Sequence, residues 1–208
     1  MKSFQNAIGV LTYTEYLTKF KNWVENLQSS HPDASAALVE FTRLNWVRTI
    51  RLEKTMRLDE SLIQKAKRLT QKYSWLVITE AWCGDSAQNL PFIASLAKQV
   101  SENIDLYIVL RDENKDLMDS YLTNGARAIP KLIIINEVLN EEITQWGPRP
   151  SIAQKMVLEW KKEPGGRTWN DLEKELHTWY AKDKGMSIQQ ELDRVLDVLI
   201  EKEMVLLN

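Results

Sequence analysis

The sequence predicts an α/β fold, a central β-sheet flanked by helices, with further helices added at both ends. Three observations carry this. The middle third holds three short apolar runs rich in strand formers, at residues 75–78, 106–110 and 132–135. Helical segments at 83–100 and around 115–124 fall between them, and such alternation is the layout of α/β folds. The two flanks instead repeat apolar side chains at three- and four-residue steps, the period of an amphipathic helix. The continuous apolar character of the three runs predicts strands covered on both faces.

Taken in order, Tyr13, Tyr16, Leu17, Phe20, Val24 and Leu27 line one face of a first helix. Ser30-His31-Pro32-Asp33 breaks it. A second helix is expected with Leu38, Phe41, Leu44, Val47 and Leu52 turned inward, and a third opens at Asp59 and runs through Leu62, Ile63 and Ala66 toward Leu69. After the three strands, residues 136–146 supply one more, which Gly147-Pro148-Arg149-Pro150 stops. Ser151 with Gln154 reads as a capping box at the head of a helix. Pro164-Gly165-Gly166 is the clearest linker; residues 169–180 read as a helix ended by Gly185. Ser187 with Gln190 reads as a second capping box, opening a last helix with Ile188, Leu192, Val195, Leu196 and Leu199 on one face. The implied division is a helical extension over 1–60, an α/β domain over 61–162 and a second helical extension over 163–208.

Composition narrows the function. The 208 residues are 44% hydrophobic and 27% charged, a globular balance long enough to bury a core. Lys and Arg number 27 against 29 Asp and Glu, a net charge of −2 that argues against nucleic acid as the main partner. The first seventy residues are net basic and the next eighty net acidic. No apolar run approaches the roughly 18 residues of a membrane span, and the first ten residues turn polar too soon for a signal peptide. The lone cysteine, Cys83, excludes an intrachain disulfide and a Cys-rich metal site, and a reducing cytoplasm is the expected compartment. His31 and His177 lack metal-ligand spacing, so no metal is assigned.

Chemistry concentrates where the first strand runs into Trp82-Cys83-Gly84-Asp85-Ser86. A thiol between a strand and a helix meets unpaired backbone N–H groups and the positive end of the helix dipole, which favour the nucleophilic thiolate. Asp85, beside it, opposes that ionisation. Pro91 is placed to bend the helix, and Ile129-Pro130 precedes the third strand as a turn whose proline could be cis, opening the Ile129 backbone to an extended partner chain.

These residues resemble the thioredoxin superfamily. Trp-Cys-Gly is retained at Trp82, Cys83 and Gly84, Pro91 falls at the helix-kinking proline, and Ile129-Pro130 matches the cis-proline pair beside the active-site cysteine. The resemblance covers roughly half the chain and implies a thioredoxin-like fold with a mixed sheet; the Trp-Cys-Gly-Asp form and the helical flanks are similar to a bacterial group of thioredoxin family proteins. Departures matter as much. The second cysteine position is Ser86, a Cys-x-x-Ser site that cannot resolve its own mixed disulfide, and the buried acid six residues before the cysteine is Val77. The first strand of the fold is not identifiable, and the N-terminal helices are the candidate replacement.

The resemblance implies a monothiol thiol–disulfide oxidoreductase in cell redox homeostasis. Cys83 would attack protein disulfides, with Ser86 hydrogen-bonded to the thiolate, while Trp82, Gly84, Asp85, Ile129 and Pro130 hold the partner. No bound cofactor is implied; glutathione or another low-molecular-weight thiol, or a separate protein thiol, would release the mixed disulfide. The alternative is a non-catalytic module binding a protein through the groove at Pro130, with Cys83 an inert buried thiol; a weaker third reading is redox sensing by a Cys83–Cys83 disulfide between two chains. Glu80 reads as a surface glutamate at a strand end, Trp82 as a surface aromatic, and the other tryptophans as packing. Arg43, Arg48, Arg51, Lys54 and Arg57 read as a solvated or docked face, the functional option being an anion site for a glutathione-like carboxylate. The sequence does not fix the oligomeric state.

Overall fold

A computed structural model of the chain describes residues 7–206, with eight helices and four strands among them. The reading of residues 1–6 lies outside the described part. Strands β1 (Tyr73–Thr79), β2 (Ile104–Leu110), β3 (Lys131–Asn136) and β4 (Glu141–Trp146) form one sheet in the order β2-β1-β3-β4. β1 and β2 are parallel, whereas β3 runs antiparallel to β1 and β4 antiparallel to β3, a mixed sheet. Every residue of β1 and β3 is buried, because helices cover both faces, as their continuous apolar runs require.

Helices α1 (Tyr13–Glu25), α2 (Ala36–Thr55) and α3 (Glu60–Ala66) precede β1, α4 (Gly84–Gln99) and α5 (Lys115–Asp119) lie between the strands, and α6 (Ser151–Lys162), α7 (Trp169–Asp183) and α8 (Met186–Leu206) follow. The flanking helices do not stand apart from the sheet. Tyr16 and Phe20 of α1 and Ile188, Leu192, Leu196 and Leu199 of α8 share one apolar core with Trp75, Val77, Ile108 and Leu132. The carboxylate of Glu203, buried near the end of α8, accepts from the Thr70 and Gln71 amides and the Tyr73 hydroxyl at 2.9–3.0 Å and so ties that helix to the start of β1. No helix among the described residues is long and apolar enough to cross a membrane.

Several expectations are corrected. The inward face of α2 buries polar Thr42, Asn45 and Thr49, and Val47 is 54% exposed, whereas Leu52 packs against the apolar core as expected. α2 packs on the loop that leads into α4, where backbone groups need partners: Asn45 Nδ2 donates to the Ala81 carbonyl and Thr42 bonds Ser29. The helix at 115–124 is only five residues long. Neither expected capping box forms. Pro150 occupies the cap position of α6, the Ser151 amide donates to Glu191, and the Ser187 amide donates to Asp183 from inside α8. Capping boxes stand instead at Thr12–Glu15 and Thr168–Asp171. In place of a first strand, Leu11 alone bridges Ile108 on the open edge of β2, with bonds of 2.9 and 2.8 Å, before Thr12 turns the chain into α1.

Candidate functional site

β1 delivers residues 80–83 to the edge of the sheet, and Cys83 caps the start of α4 with extended backbone (φ −84°, ψ 117°). Its thiol is buried, 8% exposed, and donates to the Ile129 carbonyl at 3.3 Å. The Ile129-Pro130 bond is cis, and the hydrogen bond to Ile129 sets the sulfur facing the proline loop. A second cis bond, Gly147-Pro148, lies against it: a Cβ on Gly147 (φ +117°) would sit 2.2 Å from the Pro130 oxygen. That close approach brings Arg149 to the same site.

Arg149 reaches Asp85 with Nε and Nη2, Nε at 2.9 Å, and both side chains are nearly buried. The Tyr180 hydroxyl of α7 donates to the other Asp85 oxygen at 2.7 Å, and Asn89 Nδ2 bonds both that hydroxyl and the Asp85 carbonyl. Asp85 is therefore the hub of a buried network at the first turn of α4 rather than a solvated carboxylate. Burial draws the Arg149 guanidinium down, but Asp85 outweighs it and holds the group above its usual range.

The expected thiolate is not favoured here. Burial, and next the Asp85 charge, push the Cys83 thiol up to about 11, against the Ser86 hydroxyl and amide and the Arg149 charge, which favour ionisation. The reason is solvation: a sulfur under the Ile129 loop loses more water than the helix start repays. Ser86 is buried and its oxygen accepts from Thr79 Oγ1 at 2.7 Å. Gly84 is half-buried, with His177 Nε2 2.9 Å from where its Cβ would stand. Val77, fully buried in β1, pairs with Ile108 and Leu132.

Glu80 and Trp82 also differ from expectation. Glu80 is fully buried, takes a hydrogen bond from the Ser30 hydroxyl and another from the Asp112 amide at 2.8 Å, and burial raises its carboxyl to about 7. The α1–α2 loop, folding over the strand end, buries it; nothing near Glu80 in the chain announces that loop. Trp82 is half-buried because the Arg111 guanidinium stacks on its ring 4.7 Å from the centroid, an arrangement that Asp112 holds by accepting from Arg111 Nε at 2.9 Å. Of the five basic residues of α2 and its exit, Arg48 approaches Gly84 and Arg51 lines a cavity with Asn89 and Tyr180, whereas Arg43 pairs with Glu40 on the surface. Among the described residues no group of three or more His, Cys, Asp or Glu is arranged to hold a metal ion.

Arg149, Tyr180, Arg111 and His177 escaped the sequence reading. Arg149 had a signal, a charged residue framed by two prolines and therefore rigidly aimed. Tyr180 and His177 had none, since α7 meets α4 only through folding over some ninety residues of sequence.

A family model described as Thioredoxin matches residues 31–163. The chain belongs to this thioredoxin family. The match takes in α2 and α3 as well as the sheet and α4. No curated protein matches the chain. Among solved structures, a protein of unknown function from Pseudomonas aeruginosa is 21% identical with a TM-score of 0.53, covering 93% of this chain and 99% of its own. That likeness extends the shared fold across the helical flanks. An HIV epitope-scaffold is 20% identical with a TM-score of 0.49, covering 90% of this chain and 98% of its own.

Proposed function

We propose that this thioredoxin family member is a monothiol exchange protein that captures disulfide-bearing partners through Cys83 and is released by an external thiol. The observation that carries the reading is the Cys83 sulfur held 3.3 Å from the Ile129 carbonyl, facing the cis-proline loop. Cys83 loses its proton to solvent and the thiolate attacks a partner disulfide. A Cys83–partner disulfide forms and the partner's other sulfur leaves as thiolate. Ser86 has no thiol with which to break that bond. A second, external thiolate then attacks the partner's sulfur, forming a new disulfide and expelling Cys83 as thiolate, which takes a proton back. A thiol held near 11 is about one part in ten thousand ionised at pH 7, so capture is slow; the same poor acidity makes Cys83 a poor leaving group, so the captured partner is long-lived. The proposed setting is a reducing compartment that supplies such thiols.

The test is the rate of mixed-disulfide formation with 2-hydroxyethyl disulfide, followed by intact mass from pH 7 to 11. One adduct per chain is expected, absent in Cys83→Ala, with the rate rising about tenfold per pH unit below the thiol pKa. A wild-type protein that stays unmodified at pH 10 overturns the reading. The burial of Cys83 at 8% exposure favours a second reading, a binding module using the Pro130 groove; partner capture that survives Cys83→Ala unchanged would select it.

A further inference from the structure

Helix α7 crosses the first turn of α4 and, with α2, encloses an open cleft of about 660 Å³, within the range of small-molecule sites. Phe41, Leu44 and Arg48 form one wall, and Glu173, Lys174 and His177 the other. Two of its lining residues stand beside the turn that carries the thiol: a Cβ on Gly84 would stand 2.9 Å from His177 Nε2 and 3.7 Å from Arg48 Nη1. Arg48 is half-buried and its Nη1 donates to Asn45 Oδ1 at 2.8 Å, yet among the described residues no carboxylate lies within salt-bridge distance of it. Gln88 Nε2 bonds His177 Nδ1 at 3.2 Å, which leaves Nε2 as the donor on the Gly84 side, 3.7 Å from Glu173. Two cations and a donor thus face a single carboxylate. Apart from the Nη1 bond to Asn45 the Arg48 fork carries no carboxylate, although the Glu173 charge acts on it from across the cleft, and a half-buried guanidinium so placed suits a planar anion, while the Phe41 and Leu44 wall suits a short carbon chain.

Resting on the exchange reading of Cys83, we propose that this cleft selects the external thiol: it binds a low-molecular-weight thiol that carries a carboxylate, with the carboxylate on Arg48 and His177 and the sulfur presented to the Cys83 mixed disulfide. The incoming thiolate bonds to the partner's sulfur, the bond from that sulfur to Cys83 breaks, and the Cys83 thiolate formed is protonated by solvent.

The experiment starts from the full chain carrying the neutral 2-mercaptoethanol adduct on Cys83. Release is timed by intact mass with 3-mercaptopropionate, 2-mercaptoethanol and cysteamine, each rate divided by that thiol's rate with free 2-hydroxyethyl disulfide at the same pH, which removes differences in both acidity and intrinsic nucleophilicity. The expected order is anionic, neutral, cationic, with 3-mercaptopropionate about tenfold faster than 2-mercaptoethanol. Arg48→Gln is expected to bring the ratio of the 3-mercaptopropionate rate to the 2-mercaptoethanol rate close to one. High salt is expected to shrink the preference in the unmodified protein, a check that does not depend on the variant's folding. Equal normalised rates for the three thiols, or a preference untouched by both salt and Arg48→Gln, overturn the cleft's role while the exchange reading stands. Failure of the adduct to form at all overturns both.

Discussion

Asp85→Asn tests whether electrostatics at the first turn of α4 govern the thiol. Asp85 is the largest influence after burial holding Cys83 up at about 11, and it also neutralises Arg149. The amide removes one negative charge and leaves the guanidinium without a counter-charge, and both changes favour the thiolate. Burial persists, so the expected fall is roughly one unit, about 1.4 kcal/mol, and not a return to an acidic thiol. One unit gives about ten times more thiolate at pH 8, but a less basic thiolate is also a weaker nucleophile, by a factor of about three at the usual Brønsted slope. The net gain in exchange rate is therefore about threefold. The variant is also expected to lose on the order of 3 kcal/mol of stability, because it breaks a nearly buried ion pair. The pH dependence of alkylation by iodoacetamide, a neutral reagent, reads the pKa directly, and denaturant unfolding reads the cost. A pKa that is unchanged, or raised, in a folded Asp85→Asn would refute the electrostatic account and leave burial as the whole cause.

Two further outcomes concern stability. The Glu80 carboxyl, raised to about 7, binds its proton more tightly folded than unfolded, so its contribution is present below about pH 4.5 and lost as pH rises through 7. Glu80→Gln is expected to flatten the pH dependence of unfolding across that window by up to about 3 kcal/mol, with its relative gain above pH 7; parallel curves for the two proteins would contradict this. Gly185 has φ +80° and its Cβ would lie 2.0 Å from the Phe92 ring, whereas Gly165, at φ +60°, has open space around it. Gly185→Ala is expected to cost about 3 kcal/mol and Gly165→Ala about 1 kcal/mol in denaturant melts; equal costs would mean that Phe92 yields freely.

What the sequence made legible follows from which forces are local. The strands 75–78 and 132–135 were readable because both faces of the sheet centre are covered, leaving no polar alternation to confuse with a helix; 106–110, on the edge strand, is buried only from Ile108 to Leu110 but is apolar throughout. The α8 stripe was readable because its partner is apolar core. The α2 stripe was not, although the periodicity is as clear. Periodicity reports apolar side chains, and the middle of α2 instead meets polar groups, the Ala81 carbonyl at Asn45 and the Ser29 hydroxyl at Thr42. Caps failed for a related reason. Ser151 and Ser187 carry the right side chains, but Glu191 takes the Ser151 amide and Asp183 the Ser187 amide, and a carboxylate accepts more strongly than the amide oxygen of Gln154 or Gln190 that a capping box would use. Thr12 and Glu15 do form the box their spacing allows, with no such competitor nearby.

The site divides along the same line, and the division bears on its chemistry. Cys83, Pro91 and Ile129-Pro130 lie in short motifs, and the structure sets the thiol facing the proline turn. Whether that thiol ionises depends, besides burial, Asp85 and Ser86, on a group the motifs do not contain, Arg149 from beyond β4, and Tyr180 from α7 holds Asp85 in turn. Asp85 couples the two sets. Its charge works against the thiolate, while its bonds to Arg149 and Tyr180 anchor α7 and the Pro148 loop over the first turn of α4. A residue that helps keep the Cys83 thiol protonated thus also holds the cleft wall in place. Any change that wakens Cys83 through Asp85 must then loosen the α7 side of the cleft, so gains in thiol acidity and losses in selection among external thiols should appear in the same variants.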